Sequence, residues 1–317
     1  MVSTLNGNGK RAFAHASPAF LEKLRGLPED LRRHIRGQDH VIERVCSVLK
    51  RGELGFAHPR RPKGSFLFVG PTGVGKTELT NVFTGLLFDG AKPVRFDMSE
   101  YQNQSSVEKL IGNDSGIGSS GGLLGRALAG ADSGTLLFDE IEKAHPLLLD
   151  LFLQMLEDAT ITLATGERKN LGLFYVVFTS NIGSREAMRM ERAPLASIER
   201  TVLARVSQEL RPELVGRITE KLVFLRLDFG VKRAVCEEMI AGELARLRSL
   251  GHEIELDSSA VEFLVRRGYH KTLGARPMRS AVEKHLQEVV AESILAGGEG
   301  CGRIMADLRR DTLLLRD

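Results

Sequence analysis

The stretch SFLFVGPTGVGKTELTNVF (65–83) decides how the rest of the chain is read. A short apolar run, SFLFV, breaks into glycines, and an amphipathic run from Lys76 to about Phe88 follows, which predicts strand, loop and helix in that order. Inside it, GPTGVGKT (70–77) fits the pattern G-x-x-x-x-G-K-[ST]. Glycines let successive backbone N–H groups turn inward around phosphate oxygens, so Gly70, Pro71, Thr72, Gly73, Val74 and Gly75 are candidates for the cradle. Lys76 is placed to reach the β- and γ-phosphates, and Thr77 to offer a hydroxyl to Mg²⁺. The helix that starts there adds its N-terminal dipole to the attraction for phosphate. A plain glycine-rich turn can fit the same pattern. The strand before it and the helix after it separate the two readings.

A phosphate loop needs an acid at the end of a neighbouring apolar strand, and TLLFDE (135–140) supplies two. Asp139 can hold Mg²⁺ through its water shell, and Glu140 is placed to polarise the attacking water. Two acids in such a place also serve commonly as helix caps, so the assignment leans on the upstream loop. A polar side chain near the γ-phosphate is needed as well. TSN (179–181) ends another apolar run and makes Asn181 the candidate, although an asparagine at a strand end is by itself more often a turn residue.

Working outward, VRFDMSE (94–100), GTLLFDE (134–140), LFYVVFTSN (173–181) and KLVFLRL (221–227) read as further strands, the second running into a helix through Leu156. Apolar strands alternating with helices imply an α/β fold with a mostly parallel sheet covered on both faces. Upstream, Leu21, Leu24, Leu27, Leu31 and Ile35 recur at helical spacing over 18–36, and Val41, Val45, Val48 and Leu49 form the stripe of a second helix. Residues 55–64 are a connector, and 1–17 read as a flexible tail. After Asp228 helical periodicity dominates, with short strands expected at HEIEL (252–256), Arg303–Leu308 and Thr312–Leu315. The expected organisation is a tail at 1–17, a large nucleotide-binding domain with its helical lead-in at 18–227, and a small, mainly helical domain at 228–317.

Composition narrows the class. Hydrophobic residues make up 42% and charged residues 27%, with a net charge of +3, as in a soluble globular protein with a real core. Basic and acidic residues are interspersed, there is no tryptophan, and no basic-aromatic stripe marks a nucleic-acid platform. The three cysteines, Cys46, Cys236 and Cys301, are too widely spaced for metal-ligand pairs and read as reduced structural thiols. Residues 1–12 lack the apolar core of a leader, and the longest apolar runs are far too short to span a bilayer, so a cytoplasmic protein without membrane contact is expected.

The segments GSFLFVGPTGVGKTEL (64–79), FDMSEY (96–101), FDEIEKAHP (138–146), TSNIGS (179–184), LRPELVGRI (210–218) and GARPMR (274–279) occur in this order. Together they resemble the Clp family of AAA+ protein unfoldases, and most of all the second ATPase module of ClpB-like disaggregases. The resemblance runs from about Ile35 to the C-terminus. It implies an AAA+ core with a mostly parallel sheet, a small helical lid, ATP with Mg²⁺ as the cofactors, hydrolysis of ATP to ADP and phosphate, and a homo-oligomeric ring, usually a hexamer. It also implies roles: Arg217 as the finger that reaches into a neighbouring subunit's site, Arg276 as the sensor that couples lid to nucleotide, and Ile35 and Arg36 as the adenine-contacting edge.

The chain also departs from the family. Its pore-loop stretch, GNDSGIGSSGG (112–122), is shorter and has Ile117 where the family has tyrosine. Gly216 and Thr219 stand where Asn and Asp are common, and 183–210 holds no peptidase-docking tripeptide. The reading expects a stand-alone single module without the family's N-terminal domain, first ATPase module or coiled-coil domain. The function expected is ATP-driven remodelling of protein substrates or of a dedicated protein partner. The alternative is an ATP-dependent assembly switch or loader, acting for instance on nucleic acid, without polypeptide threading.

Overall fold

The first helix begins where the chain supplies a cap. Ser17 accepts the N–H of Phe20 and Pro18 occupies the first turn, giving α1 (Pro18–His34). Its last turn carries Arg32, Arg33 and His34, which suit the negative end of the helix. The computed structural model describes residues 17–112, 121–190, 193–270, 273–307 and 309–316. The expected tail at 1–17, apart from Ser17, lies outside them, and so does Ile117.

By contacts the chain divides into two units, one comprising the residues up to Gly70 and Gly75–Phe224, the other Pro71–Val74 and Leu225–Asp317. In the first unit α1 is followed by α2 (Asp39–Glu53), β1 (Gly64–Val69), α3 (Lys76–Leu87), β2 (Val94–Asp97), α4 (Gln104–Ile111) and α5 (Gly122–Leu128). Then come β3 (Gly134–Asp139), α6 (Pro146–Asp158), the short strands β4 (Thr160–Thr162) and β5 (Arg168–Asn170), β6 (Phe174–Ser180), α7 (Ser184–Arg189), α8 (Leu195–Glu209), α9 (Pro212–Arg217) and β7 (Glu220–Val223).

The main sheet has five strands in the order β2-β3-β6-β1-β7. Every neighbouring pair in it is parallel, with Leu67 of β1 opposite Phe178 on one side and Lys221 on the other. Strands buried on both faces read as continuous apolar runs rather than alternating ones, and β1 and β6 are buried at every position. Phe66, Phe68, Phe138, Tyr175 and Phe178 fill the sheet, and Phe83 and Phe152 pack onto it from α3 and α6. Because the strands are parallel, Val69, Asp97, Asp139, Ser180 and Val223 all end on one edge, where ligands of such sheets bind.

Three boundaries differ from the expectation, each for a local reason. The strand predicted at 221–227 stops at Val223, because Phe224 still donates to Val69 O but Leu225 already belongs to the other unit. The helix predicted straight after Glu140 is a short turn at Ile141–Lys143 followed by α6, since a residue before proline avoids helical backbone and His145 is in extended geometry ahead of Pro146. The strand at 94–100 ends at Asp97, whose carboxylate accepts the N–H of Ser99 and starts a turn. The β4–β5 hairpin was not foreseen; strands this short carry no readable alternation.

The second unit contains α10 (Phe229–Ser249), β8 (Ile254–Leu256), α11 (Ser258–Gly268), α12 (Met278–Leu295), β9 (Gly302–Asp307) and β10 (Thr312–Arg316). Its sheet order is β10-β9-β8, with β9 and β10 antiparallel and β8 and β9 parallel. Cys236, Ile240, Leu264, Val282, Leu286, Ile304 and Leu313 make its core. Glu243 is buried in it and is satisfied by Arg246 and Gln287. No described helix is long and apolar enough to cross a membrane.

Candidate nucleotide-binding site

At the end of β1 the backbone turns through Gly70 at φ +144, where an added Cβ would lie 2.5 Å from Phe224 O, so no side chain fits. Gly75, at φ +105, is the N-cap of α3 and provides no side-chain acceptor for the first-turn N–H groups. Those donors and the positive end of the helix face the same place as Lys76, which is only 8% exposed. Thr77 follows in the first turn and is half-buried. Ile35 is buried beside the loop, 3.8 Å from where a Gly75 Cβ would be, whereas Arg36 is exposed.

Strand ends bring the other candidates to Lys76. Its ammonium donates to Gly70 O and, at 3.0 Å, to Asn181 Oδ1 just beyond β6. The amide nitrogen of the Asn181 side chain donates to Glu140 Oε1 at 3.3 Å. Thr179 ties the two acids together: its hydroxyl accepts the N–H of Glu140 at 3.2 Å and donates to Asp139 Oδ1. Arg95 of β2 donates to the other Asp139 oxygen at 2.6 Å. Glu142 accepts the backbone N–H of Asn181 at 3.0 Å. Glu140 itself is held in the left-handed region, φ 56 and ψ 52.

Burial is the main influence on Lys76 and lowers its pKa to about 8, against the opposing pull of Glu142, Asp139 and Glu140. A desolvated ammonium beside uncapped helix N–H groups is an anion site. Asp139 fits a metal-holding role at its rim, with one oxygen anchored by Thr179 and the other matched to a cation by Arg95. Among the described residues no group of three His, Cys, Asp or Glu side chains could hold a metal alone, so Mg²⁺ here would share its coordination with phosphate oxygens.

Not all the candidates gather there. Arg217, at the end of α9, pairs with Glu157 of α6 at 2.7 Å, and both side chains are about half-exposed. Arg276 lies in the second unit, exposed on the turn before α12, and Pro71–Val74 group with that unit as well. Thr219 exchanges hydrogen bonds with Ser65 of β1, its N–H donating to Ser65 Oγ at 2.9 Å. Arg95, Thr179 and Glu142 are the residues that motif reading missed. Thr179 and Glu142 sit within quoted segments, TSN and DEIE. Arg95 is opposite Leu137 in the register, so it reaches Asp139 diagonally, which only the strand pairing reveals.

The AAA domain (Cdc48 subfamily) model matches residues 61–221, which contain β1, β2, β3 and β6 of this sheet and the first two residues of β7. The chain belongs to the AAA domain family. Residues 227–303 also match the C-terminal, D2-small domain of ClpB protein. Curated relatives include heat shock protein 100 of Trypanosoma brucei brucei, 39% identical over 87% of this chain and 32% of the relative. The chaperone protein ClpB of Aquifex aeolicus is 37% identical over 87% of this chain and 29% of the relative. Among solved structures, the closed state of Hsp104 with ATPγS and FITC casein superposes with a TM-score of 0.85 at 30% identity, covering 96% of this chain and 54% of that one. The S. cerevisiae Hsp104:casein complex in its extended conformation gives 0.84 at 29% identity, with 96% and 54% covered. The AAA module thus spans about a third of the length of the curated relatives it matches and about half of the solved chains.

Proposed function

We infer that this AAA module hydrolyses ATP between the strand ends of its first unit and uses the cycle to remodel protein partners. The observation that carries the reading is the continuous hydrogen-bonded set from Lys76 through Asn181 to Glu140, with Asp139 fixed beside it by Thr179. Gly70–Thr77 wrap the phosphates, and Lys76 compensates their charge. Ile35 and Arg36 offer the backbone edge for adenine. Thr77 and Asp139 would hold Mg²⁺, which supplies charge neutralisation on the β- and γ-phosphate oxygens. Glu140 takes the proton of the attacking water, and Asn181 orients that water by its carboxamide.

Arg217 completes the site of a neighbouring copy, where a guanidinium offsets charge on the transferring phosphoryl group. Arg276 couples the small unit to nucleotide state. The domain limits 18–227 and 228–317, a homo-hexameric ring and a cytoplasmic setting belong to the same reading. Support for protein rather than nucleic acid as the partner comes from the relative in Aquifex aeolicus, a chaperone by name, and from solved complexes of Hsp104 with casein.

The test compares nucleotide binding with steady-state turnover. Lys76→Ala should weaken binding roughly 100-fold or more, since charge-assisted bonds to phosphate are lost. Glu140→Gln should bind as wild type and turn over about 100-fold slower or worse. Wild-type turnover in the Glu140 variant would remove Glu140 from its role. Absence of ATP hydrolysis by the wild type would remove the activity.

A further inference from the structure

Beside the acids that the motif picks out stands Glu142, on the turn Ile141–Lys143 after β3. Its Oε1 accepts the N–H of Asn181 at 3.0 Å. Its Oε2 is buried and has no hydrogen-bond partner among the described residues. A carboxylate kept in that condition is costly to the fold, since a buried unsatisfied oxygen forfeits its hydration. One amide could be satisfied more cheaply by a hydroxyl or a backbone carbonyl, so the charge and reach of Glu142 need another explanation.

The bond falls at a decisive point. Strand β6 ends at Ser180, and the main chain of Asn181 has left the ladder. On its carbonyl side Asn181 is held by Ser184, whose hydroxyl and N–H both donate to Asn181 O. On its amide side it is held by Glu142. With its main chain held on both sides, the residue carries its carboxamide with Oδ1 on Lys76 and Nδ2 on Glu140. Glu142 is also the foremost of the carboxylates whose negative charge acts on Lys76.

We propose that Glu142 is a positioning residue of ATP hydrolysis: by gripping the Asn181 main-chain amide it aims the Asn181 carboxamide at the attacking water. Its action on the water runs through the Asn181 backbone. The inference rests on the hydrolytic reading given above. It adds that the water-orienting asparagine works only while a side chain from the neighbouring strand's turn holds its backbone.

The test measures ATP turnover of the full chain for wild type, Glu142→Ala, Glu142→Gln, Asn181→Ala and the Glu142→Ala/Asn181→Ala pair. Active-site concentration is set by nucleotide titration. Glu142→Ala should lower kcat about tenfold while KM stays within about twofold, because an interaction that matters in the transition state has been loosened. Glu142→Gln keeps a carbonyl oxygen for the amide and should stay within about threefold of wild type. In the Asn181→Ala background the Glu142→Ala change should have no further effect on kcat, the mark of two residues acting as one.

Wild-type kcat in Glu142→Ala would overturn the proposal. So would a Glu142→Gln variant as slow as the alanine one, or additive losses in the pair. If the alanine variant binds no nucleotide, Glu142→Met, which keeps the side-chain bulk without an acceptor, takes its place in the cycle. Loss of melting temperature with unchanged kcat per active site would assign Glu142 to folding alone and also overturn it. A wild type without hydrolysis defeats the proposed function, whereas a hydrolysing wild type with a neutral Glu142 defeats only this inference.

Discussion

The strand-end cluster and the Arg217 surface belong to the same unit yet are built in opposite ways. Lys76, Asp139 and Thr179 are buried, and Asn181, Glu140 and Glu142 are linked to them or to one another by hydrogen bonds that cross between strands. Among the described residues Arg217 has one ion pair, with Glu157, and both partners are about half-exposed. In one region the polar side chains are tied to one another. In the other, a solvated guanidinium paired with a surface glutamate contributes little to the fold. Such loose partnering is what the proposed role of Arg217 in a second copy would require.

The sharpest way to break this comparison is Arg217→Ala. If Arg217 acts on a neighbour, turnover should fall about 1000-fold while nucleotide affinity changes by less than about twofold. Mixing that variant with Lys76→Ala protein should restore part of the activity, because some mixed neighbours join an intact finger to an intact loop. Unchanged turnover in Arg217→Ala would make the surface pair merely a surface pair.

A second test addresses the buried side. Below its pKa of about 8 Lys76 is charged and ready for phosphate; above it, binding must take up a proton. Nucleotide affinity should therefore weaken by about tenfold per pH unit above that value, and Lys76→Arg should flatten the profile. A wild-type profile flat from pH 7 to about 9 would mean that burial does not control the lysine as inferred.

The smallest effects concern stability. Thr179→Val strips a donor from Asp139 and an acceptor from the Glu140 N–H, and should cost about 1–3 kcal/mol in denaturant unfolding. Glu157→Ala removes only the partner of Arg217 and should cost less than about 1 kcal/mol. Equal costs would erase the distinction between the two regions.

How far the chain could be read in advance follows the same division. Strands β1, β3 and β6 announce themselves because both faces are buried and the apolar run is unbroken. The turn and helix after β1 follow from glycine and lysine placement alone. Strand β7 was read too long because Phe224, Leu225 and Leu227 continue its apolar run, although Leu225 and Leu227 pack in the other unit. Arg95 escaped because its function-bearing neighbour is set by register, a property of two strands and not of either one. Glu142 escaped because what matters is a backbone amide on another strand. The role proposed for Arg217 rests on resemblance and is not encoded in local pattern at all.

Glu140 occupies a backbone conformation that an L-residue with a long side chain adopts at a cost of about 1–2 kcal/mol, and that glycine adopts freely. Natural drift toward a sturdier fold would therefore favour glycine at this position, and the proposed catalytic role is what would oppose it. A campaign that selected this protein only for heat resistance would be rewarded for discarding its proposed base, and a thermostable descendant carrying glycine there would be a well-folded protein with no engine.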